Sequence, residues 1–143
     1  MRVPSVLLVV ATLAVAACAR SGATGGGVGT GVTAVAAAVS RPAGVTDSTI
    51  ALGAQLFNGG NCRNCHGPEG VGARNGPSLA DKTWLHISGN YDEIVRVITT
   101  GITAPQIKDS TRTRAMRGRG GPANLTDEQI KVIAAYVWTL SNR

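Results

Sequence analysis

The chain has 143 residues, three cysteines and a net charge of +6, and only 3% of its residues are aromatic. That length leaves room for one ordinary domain, and so aromatic-poor a sequence lacks the side chains that usually fill a core of this size, so a non-protein group is expected in its middle. The basic balance alone would suit nucleic acid, but no run of interleaved basic and aromatic residues able to stack bases is present, and an export signal would remove the chain from cytoplasmic nucleic acid.

Residues 1–17 carry Arg2 and then an almost unbroken apolar stretch from Val6 to Ala17, the pattern of a signal peptide. The stretch is shorter than the roughly 20 residues a membrane span needs. Val15-Ala16-Ala17-Cys18 resembles a bacterial lipoprotein box, in which the cysteine thiol takes a diacylglycerol and becomes the new N-terminus. Ala17-Cys18-Ala19 would also suit an ordinary signal peptidase, which would release a soluble periplasmic protein. Lipidation gives Cys18 a purpose that the other reading does not. The chain is therefore expected on the periplasmic side, held to a membrane through a lipid anchor.

Residues 18–45 are expected to be a flexible tether. Gly22, Gly25, Gly26, Gly27, Gly29 and Gly31 lie among small residues that cannot bury enough apolar area to fold alone. As a random coil this stretch would average about 30 Å end to end.

The folded domain is expected over residues 46–143. Ile50, Gly53, Ala54 and Phe57 fall at helical spacing and predict a helix from Ser48 that ends at Asn58-Gly59-Gly60. A glycine inside a helix costs about 1 kcal/mol against alanine, so Gly53 points to close approach by another backbone. Ile94, Val97 and Ile98 predict a second helix from Tyr91 to Thr100, stopped by Gly101. Thr126 and Gln129 form a capping box for a last helix, with Leu125 and Ile130 as its staple and Ile130, Ile133, Val137 and Leu140 along one side. Nothing alternates with period two for long enough to predict a strand, so the domain reads as all-α.

After the first helix stands Cys62-Arg63-Asn64-Cys65-His66, the attachment pattern of haem c. Two thiols at this spacing can add to the two vinyl groups of one porphyrin, which places the following histidine under the iron. A thioredoxin-type disulfide would lack its strand–helix context and would leave His66 without a role. A zinc site could recruit His86, but that residue lies outside the usual spacing of zinc ligands.

With these residues the chain resembles the class I bacterial cytochrome c family over about residues 48–143. The resemblance rests on Gly53 and Phe57, on Cys62 to Gly67, on Gly76-Pro77-Ser78-Leu79, on Met116 before a Gly-rich loop, and on Leu125 to Ile130 running into Ala134-Ala135-Tyr136-Val137-Trp138. It implies a small fold of three or more helices around one covalent haem c. The first and last helices would cross so that Gly53 and Phe57 meet Ile133 and Tyr136. The resemblance also implies Met116 as the second axial ligand of the iron, from a loop between Ile102 and Asn124 that crosses the other haem face. His86 is the rival ligand. Pro77 matches the proline whose carbonyl accepts a hydrogen bond from the proximal imidazole. Trp84 would pack on the macrocycle. The family often has proline or a small residue after this methionine, where this chain has Arg117 and then Arg119.

An iron ligated on both sides by the chain has no position for substrate, so the expected function is single-electron transfer in a respiratory or photosynthetic chain, as a shuttle or a subunit of a larger complex, with no catalysis on a small molecule. The alternative is a haem-based sensor with an open or displaceable distal position. A purely structural lipoprotein would require the haem motif to be accidental. Lys108, Arg112, Arg114, Arg117 and Arg119 gather positive charge around the expected haem edge and predict a redox partner with an acidic docking patch.

Overall fold

A computed structural model describes residues 40–112 and 114–143. The expected signal peptide, Cys18 and the part of the expected tether before Ser40 lie outside the described residues. Among the described residues four α-helices carry the fold: α1 (Asp47–Gly59), α2 (Asn61–His66), α3 (Tyr91–Thr100) and α4 (Asp127–Ser141).

Each long helix starts at a side-chain cap. The Thr46 hydroxyl accepts the Thr49 N–H, and the Thr49 hydroxyl in turn accepts the Thr46 N–H. Asn90 accepts the Glu93 N–H at the start of α3. Thr126 and Gln129 close the expected capping box on α4. Such caps satisfy N–H groups that a first helical turn leaves unpaired, for about 1 kcal/mol each.

The expected crossing of α1 and α4 is present. A Cβ at Gly53 would run into the Val132 carbonyl and approach within 2.9 Å of the Tyr136 Cβ, so α4 reaches the α1 backbone itself. One turn on, the rings of Phe57 and Tyr136 meet edge to face with centroids 5.4 Å apart. α3 packs beside α4, where the Tyr91 hydroxyl donates to the Lys131 carbonyl at 3.2 Å. Phe57, Ile130, Ile133 and Leu140 are fully buried, each contributing about 1.5–3 kcal/mol over exposure.

The structure adds three features to the sequence reading. Val45, left in the tether by that reading, is only 4% exposed and belongs to the core. A turn in which the Val45 N–H donates to the Pro42 carbonyl carries it there. Cys62 to His66 sit on a helix of their own, α2, too short to show periodicity. Two-residue strands, β1 (Gly101–Ile102) and β2 (Met116–Arg117), pair antiparallel with Ile102 opposite Met116. Strands this short hold no alternation that a sequence could display, and the fold remains all-α.

Candidate functional site

On a helix, residues three and four apart share a face. α2 therefore sets Cys62, Cys65 and His66 along one side, and all three line a cavity of about 450 Å³ bounded also by Phe57, Met116 and Trp84. Cys62 and Cys65 are free thiols. Burial pushes the Cys62 thiol above its ordinary value, opposed by its own backbone N–H and reinforced by Cys65.

His66 is 9% exposed, and its Nδ1 lies 3.0 Å from the Pro77 carbonyl oxygen. A carbonyl only accepts, so Nδ1 carries the proton and donates, which leaves the Nε2 lone pair free to ligate a metal. Burial holds this imidazole below the usual histidine range; the Pro77 bond acts the other way, and the nearby Arg112 charge adds to the lowering. The proximal turn is built around the ring. The Gly72 N–H donates to the His66 carbonyl at 2.6 Å, and a Cβ on Gly76 would stand 2.7 Å from the Cys65 carbonyl oxygen and 3.0 Å from His66 Nδ1.

Met116 enters from β2, partly buried against the core. After it the chain makes a left-handed passage through Arg119 (φ 51°), Gly120 (φ 66°) and Gly121 (φ 61°). This is the stretch where Arg117 and Arg119 depart from the family pattern. A side chain in that region costs about 1 kcal/mol, and Arg119 has compensating partners: its guanidinium donates to the Leu125 carbonyl at 2.7 Å and to Asp127 at 2.5 Å, and its own carbonyl accepts the Leu125 N–H. Asn61, at the head of α2, donates to the Gly120 carbonyl at 3.3 Å.

The structure thus gathers Cys62, Cys65, His66, Pro77 and Met116 at one cavity. His86 lines it too, with Nε2 placed 3.1 Å from the Gln106 carbonyl and 3.3 Å from the Lys108 nitrogen. Among the described residues no three His, Cys, Asp or Glu side chains converge as a free metal ion would require. The donor set fits a haem c instead: two unpaired thiols, an imidazole with one free nitrogen and a thioether, around an apolar cavity within the volume range of small-molecule sites.

The five basic residues divide. Lys108, Arg114 and Arg117 are exposed. Arg119 is engaged as above, and Arg112 pairs with Asp109 at 2.8 Å and bonds two carbonyls across the molecule. In the sequence these two read as surface charges, because their partners are remote or fixed by turns with no sequence signature. Among the described residues no helix is long and apolar enough to cross a membrane.

Residues 50–141 match the family model for cytochrome c. The chain is 34% identical over 106 residues to the cbb3-type cytochrome c oxidase subunit CcoP of Rubrivivax gelatinosus, covering 72% of this chain and 31% of that protein. It is 36% identical over 91 residues to the cbb3-type cytochrome c oxidase subunit FixP of Bradyrhizobium diazoefficiens, covering 64% of this chain and 30% of that one. The chain thus spans about a third of the length of the curated relatives it matches. Cytochrome cL from the marine methylotroph Methylophaga aminisulfidivorans shares 26% identity at a TM-score of 0.48, over 64% of this chain and 52% of that structure. With the family model running through both helices of the α1–α4 crossing and everything between, the chain belongs to the cytochrome c family and has the all-α fold of its class I members.

Proposed function

We propose that the domain is a single-electron carrier with one haem c, attached through Cys62 and Cys65 and ligated at iron by His66 and Met116. The observation that carries this reading is the convergence of these four side chains on one apolar cavity, with His66 already oriented by Pro77. Each thiol would add across a vinyl group, its sulfur to one carbon and its hydrogen to the other. Bound there, the haem supplies an iron that accepts and gives one electron at a time. The chain's own part is to fix the imidazole, keep water from the ring and present Met116, which leaves no position for a substrate and makes this a carrier and not an enzyme.

The relatives named as oxidase subunits favour a respiratory setting, as a shuttle or a subunit of a terminal complex. Exposed Lys108, Arg114 and Arg117 favour docking of an acidic partner, because Arg114 and Arg117 also line the cavity. Cys18 would carry the lipid that holds the domain to the periplasmic face of a membrane.

Production in a host with cytochrome c maturation machinery tests the core of this reading. The expected product retains its pigment in denaturing gels, shows the far-red ferric band of methionine sulfur on iron, and binds carbon monoxide slowly when reduced. A colourless product ends the haem assignment, and rapid carbon monoxide binding without the far-red band replaces the carrier with a ligand-binding sensor.

A further inference from the structure

Arg112 stands four residues before Met116, yet the end of its side chain reaches the other wall of the cavity. Its side chain is only 27% exposed. Nε donates to the Asp109 carboxylate at 2.8 Å, and one terminal nitrogen donates to the carbonyls of both Gly76, at 2.8 Å, and Ala73. The anion is itself fixed, since Asp109 also accepts the backbone N–H and the hydroxyl of Thr111 at 2.9 and 2.6 Å. On the far side, Ala73 and Gly76 exchange backbone hydrogen bonds, so the two carbonyls that Arg112 grips belong to one closed turn. The next peptide after Gly76 ends in the Pro77 carbonyl that receives His66 Nδ1.

A planar guanidinium suits this place because it offers several donors in fixed directions, one edge to a carboxylate and another to carbonyls; an ammonium on a flexible stem holds no such geometry. With Asp109 on its own loop and Ala73 and Gly76 on the proximal turn, Arg112 is a rigid strut between the segment that delivers Met116 and the segment that aims His66. We propose that Arg112 is a positioning residue for both axial ligands, latching the methionine loop to the proximal turn so that thioether and imidazole are held at one spacing. The proposal rests on the reading of His66 and Met116 as the iron ligands.

The test uses the haem-loaded protein, with imidazole as a competitor for the methionine position in the oxidised form. Arg112→Gln is expected to bind imidazole about tenfold more tightly than the wild type, since loss of a charged hydrogen-bond donor costs the loop about 1.4 kcal/mol. Its midpoint potential should fall, because a cation that favoured the reduced iron is gone. Arg112→Lys should keep most of the potential and still bind imidazole more readily than the wild type. Asp109→Asn, which frees the guanidinium without removing it, should give a smaller rise in imidazole affinity. Affinity within about twofold of wild type in Arg112→Gln overturns the latch; if that variant yields no pigmented protein, unchanged affinity in Asp109→Asn overturns it instead. A wild type without the far-red methionine band refutes the ligand reading itself, whereas a normal band with unresponsive variants refutes the latch alone.

Discussion

The two walls of the cavity are held in different ways. From α2 to Leu79 the proximal wall is fixed by its own backbone: the Gly67 N–H caps α2 on the Arg63 carbonyl, the Gly72 N–H meets the His66 carbonyl, and the Leu79 N–H meets the Gly70 carbonyl at 2.7 Å. The methionine wall, from Ile102 to Asn124, has the β1–β2 backbone pairing at Met116 and local turns, but its ties to the proximal wall and to the neighbouring loops run through side chains, namely Arg112, Asn61, His86 and Arg119. Backbone bonds within a turn persist through most substitutions. Side-chain struts can be cut one at a time, so the methionine side is where ligand exchange and redox tuning should respond to single changes.

Removing both thiols is the strongest challenge to that contrast. The haem would be the largest apolar body packed against this cavity's lining, and losing that packing is a large loss against a net stability of only about 5–15 kcal/mol. The Cys62→Ala, Cys65→Ala double variant is expected to lose most of its helical circular dichroism. Native-like helicity would mean that backbone bonds alone maintain the proximal wall.

Gly76→Ala and Arg119→Ala compare the walls directly. The added methyl would meet the fixed Cys65 carbonyl and the His66 ring, so Gly76→Ala should cost about 2–3 kcal/mol in denaturant unfolding of the haem-loaded protein. Arg119→Ala removes hydrogen bonds from a side chain that is 37% exposed and should cost about 1 kcal/mol. Equal losses would erase the distinction.

The smallest effect comes from acid. Hydrogen bonds from Thr111, with Arg112 adding, hold the Asp109 carboxyl below the usual range, and Arg119 does the same for Asp127. A carboxylate depressed in the folded state contributes stability above its unfolded value, near 3.9, and loses it as pH falls through the lower folded value. The far-red methionine band is therefore expected to fade below about pH 4, before the far-ultraviolet helix signal declines. Coincident loss of both signals would show that the two walls act as one unit.

The same division governs what could be read from sequence. The stripe of α1, the Tyr91–Thr100 helix and the Thr126–Gln129 box are local patterns, visible within a few residues. The thiols and His66 announced themselves by spacing, and Met116 and Pro77 came from family resemblance. Arg112 with Gly76 and Asn61 with Gly120 pair residues 36 and 59 positions apart, and such pairs leave no periodic trace. Arg112 therefore read as one more surface charge. Val45 fell within the expected tether for a related reason, since a single apolar residue among small and polar ones shows its burial only once the α1–α4 core exists.

The crossing at Gly53 has a consequence for folding order. Its two helices stand at opposite ends of the domain's sequence, so their contact closes a long loop and must wait until α4 has been made. Until then the α1 stripe has no partner, and Cys62 and Cys65 lie in an open chain. Modification of the thiols therefore has its natural window before the ring of contacts shuts, and any substitution that hastens α1–α4 docking should narrow it.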